Sequence, residues 1–256
     1  MFTAEKLERD MIMGKQNELS ENLNNWDYIS RYSLWMYHTY EKYVGKKVLD
    51  VGAGMGRMVA FYIDKCEEVV ATDIFQSQVD YMNERFKGYS NFSAIVCDIM
   101  KDNMGQYKEK FDTIICINVL EHLEDDLLAV QKMKEMLMDR GKIILFVPAL
   151  QKLYCQMDSN VNHYRRYDKG ELKKIADECD LTVEYNKYFN ALGIIPYYIR
   201  GKKKFKSGES FSTSLNENNS KIYNLASKIL EPIERKISIP FGLSEIIVLE
   251  KKGIYE

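Results

Sequence analysis

The sequence predicts an α/β chain built on a doubly wound, mostly parallel sheet of seven strands with helices on both faces. Three observations carry this expectation. Between Val48 and Ala149, short apolar runs alternate with amphipathic stretches, a rhythm that calls for parallel strands joined by right-handed helical crossovers. The segment Val48–Gly56, VLDVGAGMG, reads as a buried strand running into a glycine turn that opens a helix at Arg57. Three aspartates, Asp50, Asp73 and Asp98, close successive strands and so gather at one rim of the sheet.

Taken in order, residues 1–24 are polar. Trp26, Ile29, Tyr32, Ser33, Met36, Tyr40 and Tyr43 then recur at helical spacing and predict one amphipathic helix stopped by Gly45. Two readings stand for it: a helix packed on the sheet edge, or a partial lid whose Tyr28 or Tyr32 touches a ligand above the strand ends. RMVAFYIDKC is the first crossover helix, EVVATDI the second strand, QSQVDYMNERF a helix with Val79, Met82 and Phe86 on one face, and FSAIVCDI the third strand. FDTIICINV is a fourth strand, apolar through its middle as burial on both faces requires. The next helix has Asp125 and Asp126 in its first turn and Arg140 and Gly141 at its end, complementing the helix dipole. GKIILFVPA is a fifth strand, LTVEYNKYFN a sixth and LSEIIVLEKK a seventh. An insertion, aromatic and then basic, lies before the last strand.

A length of 256 residues suits one decorated α/β domain, and a net charge of −2 gives no reason to expect nucleic acid. Five scattered cysteines with no C-x-x-C pair fit reduced thiols in the cytoplasm. The charged opening MFTAEKLERDM shows no signal peptide, and no apolar run is long enough to cross a bilayer.

A strand ending in a glycine turn leaves backbone N–H groups and a helix N-terminus facing outward, where an anionic or carboxylate-bearing ligand is stabilised. A dinucleotide fingerprint needs a small residue in the sixth place from Gly52, and Arg57 stands there. The pattern left is G-x-G-x-G.

With these residues in view, the chain resembles the class I S-adenosylmethionine-dependent methyltransferases, which have a Rossmann-like sheet. VLDVGAGMG looks like their first motif, ATDI the second, CDI the third, FDTIICINVLEHL the fourth and GKIILFVP the fifth, a likeness covering about residues 44–150. The resemblance implies that Gly52, Ala53, Gly54 and Gly56 approach the methionine part of the cofactor and that Asp50 faces its amino group. It implies that Asp73 with Ile74 holds the ribose, that Asp98 with Ile99 reads the adenine, and that Asn118 and Val119 lie under the sulfonium. DSNVNHYRRYDKGEL, YFNALGIIPYYIRGK and IPFGLSEIIVLEKK are similar to a narrower subgroup, methyltransferases associated with glycosyltransferases in surface-polysaccharide (capsule) synthesis. On this reading residues 1–44 are a helical lid and 45–256 the methyltransferase domain, with acceptor-side segments in 150–240. Nothing functional is carried over to Lys202–Ser220.

Methyl transfer mainly requires the two reactants to be held in line, with a base for a hydroxyl of high pKa. His122, in the turn after strand four, is either a base or a helix cap. Asn118 stands where a metal-binding E-x-x-E-H variant has its first carboxylate, so no metal is expected. In NHYRRYD, Asp168 and Glu171 suit a helix N-terminus. His163 or Tyr167 could then act on the acceptor while Arg165 and Arg166 clamp a phosphate or carboxylate; the alternative is a salt-bridged surface. The resulting expectation is O-methylation of a small, polar, phosphorylated or nucleotide-activated acceptor such as a polysaccharide precursor. A quinone or lipid methyltransferase, and a non-catalytic cofactor-binding module, are the rival readings. The stretch Ala191–Lys204 either shapes the acceptor pocket or a dimer contact, or docks on a membrane surface. INVLEH differs from the N-P-P-Y motif of base-modifying enzymes, which again speaks against nucleic acid.

Overall fold

The computed structural model describes residues 26–202, 228, 230–234 and 236–253, with side chains from residue 31 onward. Its strands are β1 (Lys47–Val51), β2 (Glu68–Asp73), β3 (Phe92–Val96), β4 (Phe111–Ile117), β5 (Leu137–Pro148), β6 (Leu181–Phe189) and β7 (Ser244–Lys251). The helices are α1 (Trp26–Tyr40), α2 (Val59–Tyr62), α3 (Gln76–Arg85), α4 (Asp126–Met136), α5 (Gln156–Asn160), α6 (Glu171–Glu178) and α7 (Ile194–Gly201). All seven strands join one sheet in the order β3-β2-β1-β4-β5-β7-β6. The pairs among β1 to β5 are parallel, and β7 alone runs against both of its neighbours. The expected doubly wound, mostly parallel sheet is therefore the fold. Its consequence for function is that β1 to β6 all end at one rim.

Strand residues alternate between two cores because successive side chains leave a strand on opposite faces. Leu49, Ile114, Ile143 and Leu145 pack with Met133 of α4 and Leu172 of α6 on one face. Val48, Ile115, Ile144 and Phe146 pack with Tyr62 and Met82 on the other, together with Trp35, Met36, Tyr37 and Tyr40 of α1. Trp35 is 1% and Tyr40 0% exposed, so α1 is welded to the sheet by its aromatic stripe. Truncating either ring would cost about 3–5 kcal/mol.

Three local expectations are corrected. The first crossover helix begins at Val59 rather than Arg57, because the glycine turn continues through residue 58. The helix expected to reach Arg140 stops at Met136, where β5 begins with Leu137 pairing Phe111. Arg140, at φ 58, takes the left-handed turn before the strand resumes. The helix before β1 stops at Tyr40, and a 3-10 turn, Glu41–Tyr43, follows. The five cysteines are unpaired thiols, as read. Among the described residues no helix is long and apolar enough to cross a membrane. The readings for residues 1–24 and 203–220 fall outside the described residues.

Candidate active site

The site begins where β1 ends. Asp50, 3% exposed, accepts a hydrogen bond from the Tyr62 phenol of α2 at 2.5 Å. Burial pushes the Asp50 carboxyl up to about 7; Tyr62 pulls it down, and neighbouring Asp73 adds to the rise. Gly52 and Gly54 then take left-handed backbone, φ 67 and 60. The Ala53 N–H donates to the Thr72 carbonyl at 2.8 Å, tying the turn to β2. A methyl group added at Gly52 would lie 2.4 Å from Val119 Cγ2, whereas at Gly54 it would meet only Gln78 Oε1 at 3.3 Å. The turn is thus packed against β4's exit on one side and open on the other. Arg85 of α3 braces it further on, donating to the Met55 and Gly56 carbonyls at 2.9 and 3.2 Å.

Asp73 closes β2 and faces the turn. Its Oδ2 accepts the Gly54 N–H and its Oδ1 the Phe75 N–H, both at 3.0 Å. Beside it Ile74 is exposed. Asp98 sits two residues past the end of β3 and is held by Lys101 at 2.8 Å and the Met100 N–H at 3.0 Å. Burial opposes its charge, but those two partners win and hold the carboxyl below its ordinary range. Ile99 is buried against the core, with its carbonyl taken by Lys132. Asn118, exposed, adopts φ 52 as β4 turns away, and Val119 follows it.

Beyond Val119 a 3-10 turn, Leu120–His122, meets a loop from far along the chain. The Tyr164 N–H donates to the Glu121 carbonyl at 2.8 Å. The Tyr167 N–H donates to Pro148 and its carbonyl accepts from Leu150, both at 2.9 Å, so the loop continues the sheet alongside the end of β5. This sets the rings of His122 and His163 nearly perpendicular, centroids 4.6 Å apart.

The hub beneath this loop is Asp158, 1% exposed. It accepts from Arg166 Nε at 2.8 Å, the Tyr197 hydroxyl at 2.9 Å and the Cys155 N–H at 2.9 Å, with His163 Nδ1 at 3.2 Å. Burial would raise its carboxyl; His163 and Arg166 outweigh that and hold it near 2. Glu121, 0% exposed, lacks such partners, and burial pushes it up to about 8 against the pull of its own backbone N–H and Arg166.

The site residues read from the sequence thus divide. The turn glycines, Asp50, Asp73, Asn118 and Val119 meet at the rim, and His122 meets His163. Both arginines, expected to clamp an anion, already have protein partners. Arg166 is 4% exposed, tied to Asp158 and the Ala149 carbonyl; Arg165, half-buried, binds Asp126 at 2.8 Å and the Glu124 carbonyl at 2.6 Å. Tyr167, expected as an acid or base, is 1% exposed and donates to Asp126 at 3.0 Å, and burial first, then Asp126, drives its hydroxyl far above the ordinary range. Tyr32 packs edge-on against Phe189 at the far end of the rim. Tyr28 lies in α1, its side chain outside those described. Tyr62 and Asp158 were not singled out in the sequence, and Glu121 was read there only beside His122 in the E-x-x-E-H comparison; for Asp158, the following His163 in DSNVNH offered a signal.

Residues 49–143 match the family model described as a methyltransferase domain. Phosphoethanolamine N-methyltransferase 3 of Arabidopsis thaliana is 26% identical over 167 residues, 62% of this chain and 34% of that enzyme. The ubiquinone biosynthesis O-methyltransferase of Actinobacillus pleuropneumoniae is 29% identical over 112 residues, 42% of this chain and 47% of that enzyme. The chain therefore spans only a third to a half of these relatives' length. Among solved structures, a SAM-dependent methyltransferase from Archaeoglobus fulgidus superposes with a TM-score of 0.59 at 16% identity, covering 90% of this chain and 98% of that one. The strand order, the glycine turn facing Asp73 and the sequence match mark residues 49–143 as an S-adenosylmethionine-dependent methyltransferase domain with a Rossmann-like fold.

Proposed function

We propose that the chain transfers a methyl group from S-adenosylmethionine to an oxygen of a small polar acceptor, such as a sugar or a phosphorylated or nucleotide-activated precursor of a surface polysaccharide. The residues at the rim fit that cofactor. Asp50 is a buried carboxylate with a single side-chain donor, and an ammonium group would compensate it. Asp73, a carboxylate set against the glycine turn, suits a pair of ribose hydroxyls, and the open face at Gly54 admits a ligand close to the backbone. Ala53 and Gly56 complete the turn, Ile74 and Ile99 flank the adenosine with Asp98, and Asn118 and Val119 underlie the reacting centre.

S-adenosylmethionine supplies a methyl group on a sulfonium, itself a good leaving group. The chain's own part is to align the acceptor and receive its proton. The observation that carries the acceptor assignment is the His122–His163 edge, which the loop after β5 places next to Val119 and hence next to the glycine turn. It offers proton-accepting groups where an acceptor hydroxyl would enter. Tyr167, buried on Asp126, serves instead to anchor that loop. Arg165, the more exposed of the two arginines, is the one open to an anionic acceptor, while Arg166 positions His163 through Asp158. α1 covers the core beside this rim and supplies the lid of this reading, with Tyr32 packed on Phe189.

The similarity of residues 158–172 to polysaccharide-associated methyltransferases supports the acceptor class, as does a relative named for phosphoethanolamine, a small phosphorylated compound. One observation favours a greasier acceptor: Ile195, Tyr198 and Ile199 of α7 are more than half exposed, and one relative is named for ubiquinone biosynthesis. Incubating the chain with labelled cofactor and extracts of surface-glycan precursors tests the reading. Label is expected in the polar, acid-containing fraction; label only in the lipid extract would move the assignment to a quinone or lipid acceptor.

A further inference from the structure

Among the described residues, Glu121 has both carboxylate oxygens completely buried without a hydrogen-bond partner from another residue. An uncompensated buried carboxylate costs several kcal/mol, so such a group either holds its proton or meets a positive charge. Among the described residues no lysine or arginine supplies that charge by direct contact. His163 Nε2 is the nearest ion-pairing atom, 3.8 Å from Glu121 Oε1, beyond hydrogen-bond reach.

We propose that Glu121, His122 and His163 together bind a divalent first-row transition cation. One ligand atom from each of the three lies within 4.8 Å of the others. Zinc-type bonds of about 2.0–2.2 Å place neighbouring ligands of a tetrahedral site about 3.4 Å apart, so the three need to close by about 0.4 to 1.4 Å. His163 is already oriented for this. Its Nδ1 faces Asp158, which leaves Nε2 aimed at Glu121, the arrangement in which a carboxylate fixes a metal-bound imidazole. Asp158 in turn cannot swing away, being held by Arg166, Tyr197 and Cys155.

Size decides the kind of ligand. Glu121 presents no surface, so an acceptor's own ammonium group cannot reach it, while a single ion between Glu121 and exposed His122 can. Two imidazoles and one carboxylate suit Zn2+, Mn2+, Fe2+ or Co2+ better than Mg2+ or Ca2+, which take oxygen ligands. Three protein ligands leave a position open, as in catalytic rather than structural metal sites. The sequence expectation of no metal rested on Asn118. The structure leaves Asn118 out of the cluster and brings His163 instead from the loop after β5.

Cation binding does not depend on the methyl-transfer reading. Only its consequence does: in the loaded form the imidazoles are ligands, and the cation takes over the acidification of an acceptor hydroxyl at the open position.

The test is titration of the chelator-treated full chain with Co2+, followed by its visible d–d absorption, with Zn2+ as competitor. A single equivalent is expected to give the intense bands of a low-coordinate nitrogen and oxygen site, displaced by Zn2+. Glu121→Gln and His163→Gln are expected to weaken Co2+ at least about tenfold. His38→Gln, altering the third histidine of the chain, is expected to leave the spectrum unchanged. Circular dichroism and thermal melting of each variant confirm that it is folded, and S-adenosylhomocysteine binding, measured apart, keeps a failure of the cofactor reading separate. The proposal is overturned if no band develops, if a thiolate charge-transfer band places the ion on cysteine, or if the folded Glu121 and His163 variants bind Co2+ as tightly as the parent.

Discussion

The Tyr62 hydroxyl and the Asp50 carboxylate form a closed pair under the glycine turn, 2.5 Å apart and both buried. The pair joins the first crossover helix to the last polar residue of β1. Burial makes Asp50 a cost to the fold, and on the proposed function a receptor for the cofactor's ammonium group.

Stability of the ligand-free chain should fall with pH because of Asp50. Its folded carboxyl is raised from 3.8 to about 7, so the folded state binds the extra proton. That contribution is complete below the unfolded value and is lost as pH rises through about 4 to 7. Asp50→Asn should remove this decline, worth about 4 kcal/mol at most. The variant should be the more stable chain above neutrality in thermal melts, yet the weaker binder of S-adenosylhomocysteine.

Tyr62→Phe takes away the donor that lowers the Asp50 carboxyl. The pH midpoint for cofactor binding should therefore move upward, with binding recovered at alkaline pH. An unshifted midpoint in calorimetry across pH would separate Tyr62 from the site.

Two glycines of the turn should behave differently. Gly54→Ala meets only the tip of Gln78, so its stability loss should be confined to about 1–2 kcal/mol of left-handed backbone strain. Its Cβ would nevertheless intrude on the ligand's approach, and cofactor affinity should drop at least about tenfold. Gly52→Ala drives a Cβ to 2.4 Å from Val119 and should lose clearly more stability than Gly54→Ala. Paired melts and binding curves check both.

The two arginines should part in the same way. Arg166→Ala leaves Asp158 buried without its main charge partner and should cost about 3–5 kcal/mol. Arg165→Ala, altering a half-exposed pair, should change stability by less than about 1 kcal/mol and raise the Michaelis constant for an anionic acceptor. If that constant stays put in both variants, the acceptor is not held by this pair.

Much of this was legible in the sequence because it is local. A two-residue alternation, glycines at fixed spacing and an aspartate at each strand end all act within a few residues of themselves, so the sheet, the turn and Asp73 could be read directly. The loop after β5 could not. Its arginines read as an anion clamp because their partners, Asp158, Asp126 and the Glu124 carbonyl, are chosen by tertiary packing. The same holds for Glu121, whose burial depends on the 161–167 loop folding back over it through the Tyr164 N–H. The early end of α4 had a similar cause. Leu137 gains more by pairing Phe111 at the edge of β4 than by extending a helix whose polar end suggested four further residues.

The central claim is that the edge formed by the glycine turn and Asp73 holds the adenosyl cofactor. Isothermal titration of the full chain with S-adenosylhomocysteine, beside Asp73→Ala, tests it most directly. One equivalent should bind to the parent chain, and the variant should bind at least about tenfold more weakly because both carboxylate oxygens proposed to hold the ribose are gone. No heat of binding in the parent, or equal affinity in a folded Asp73→Ala chain, would contradict the account.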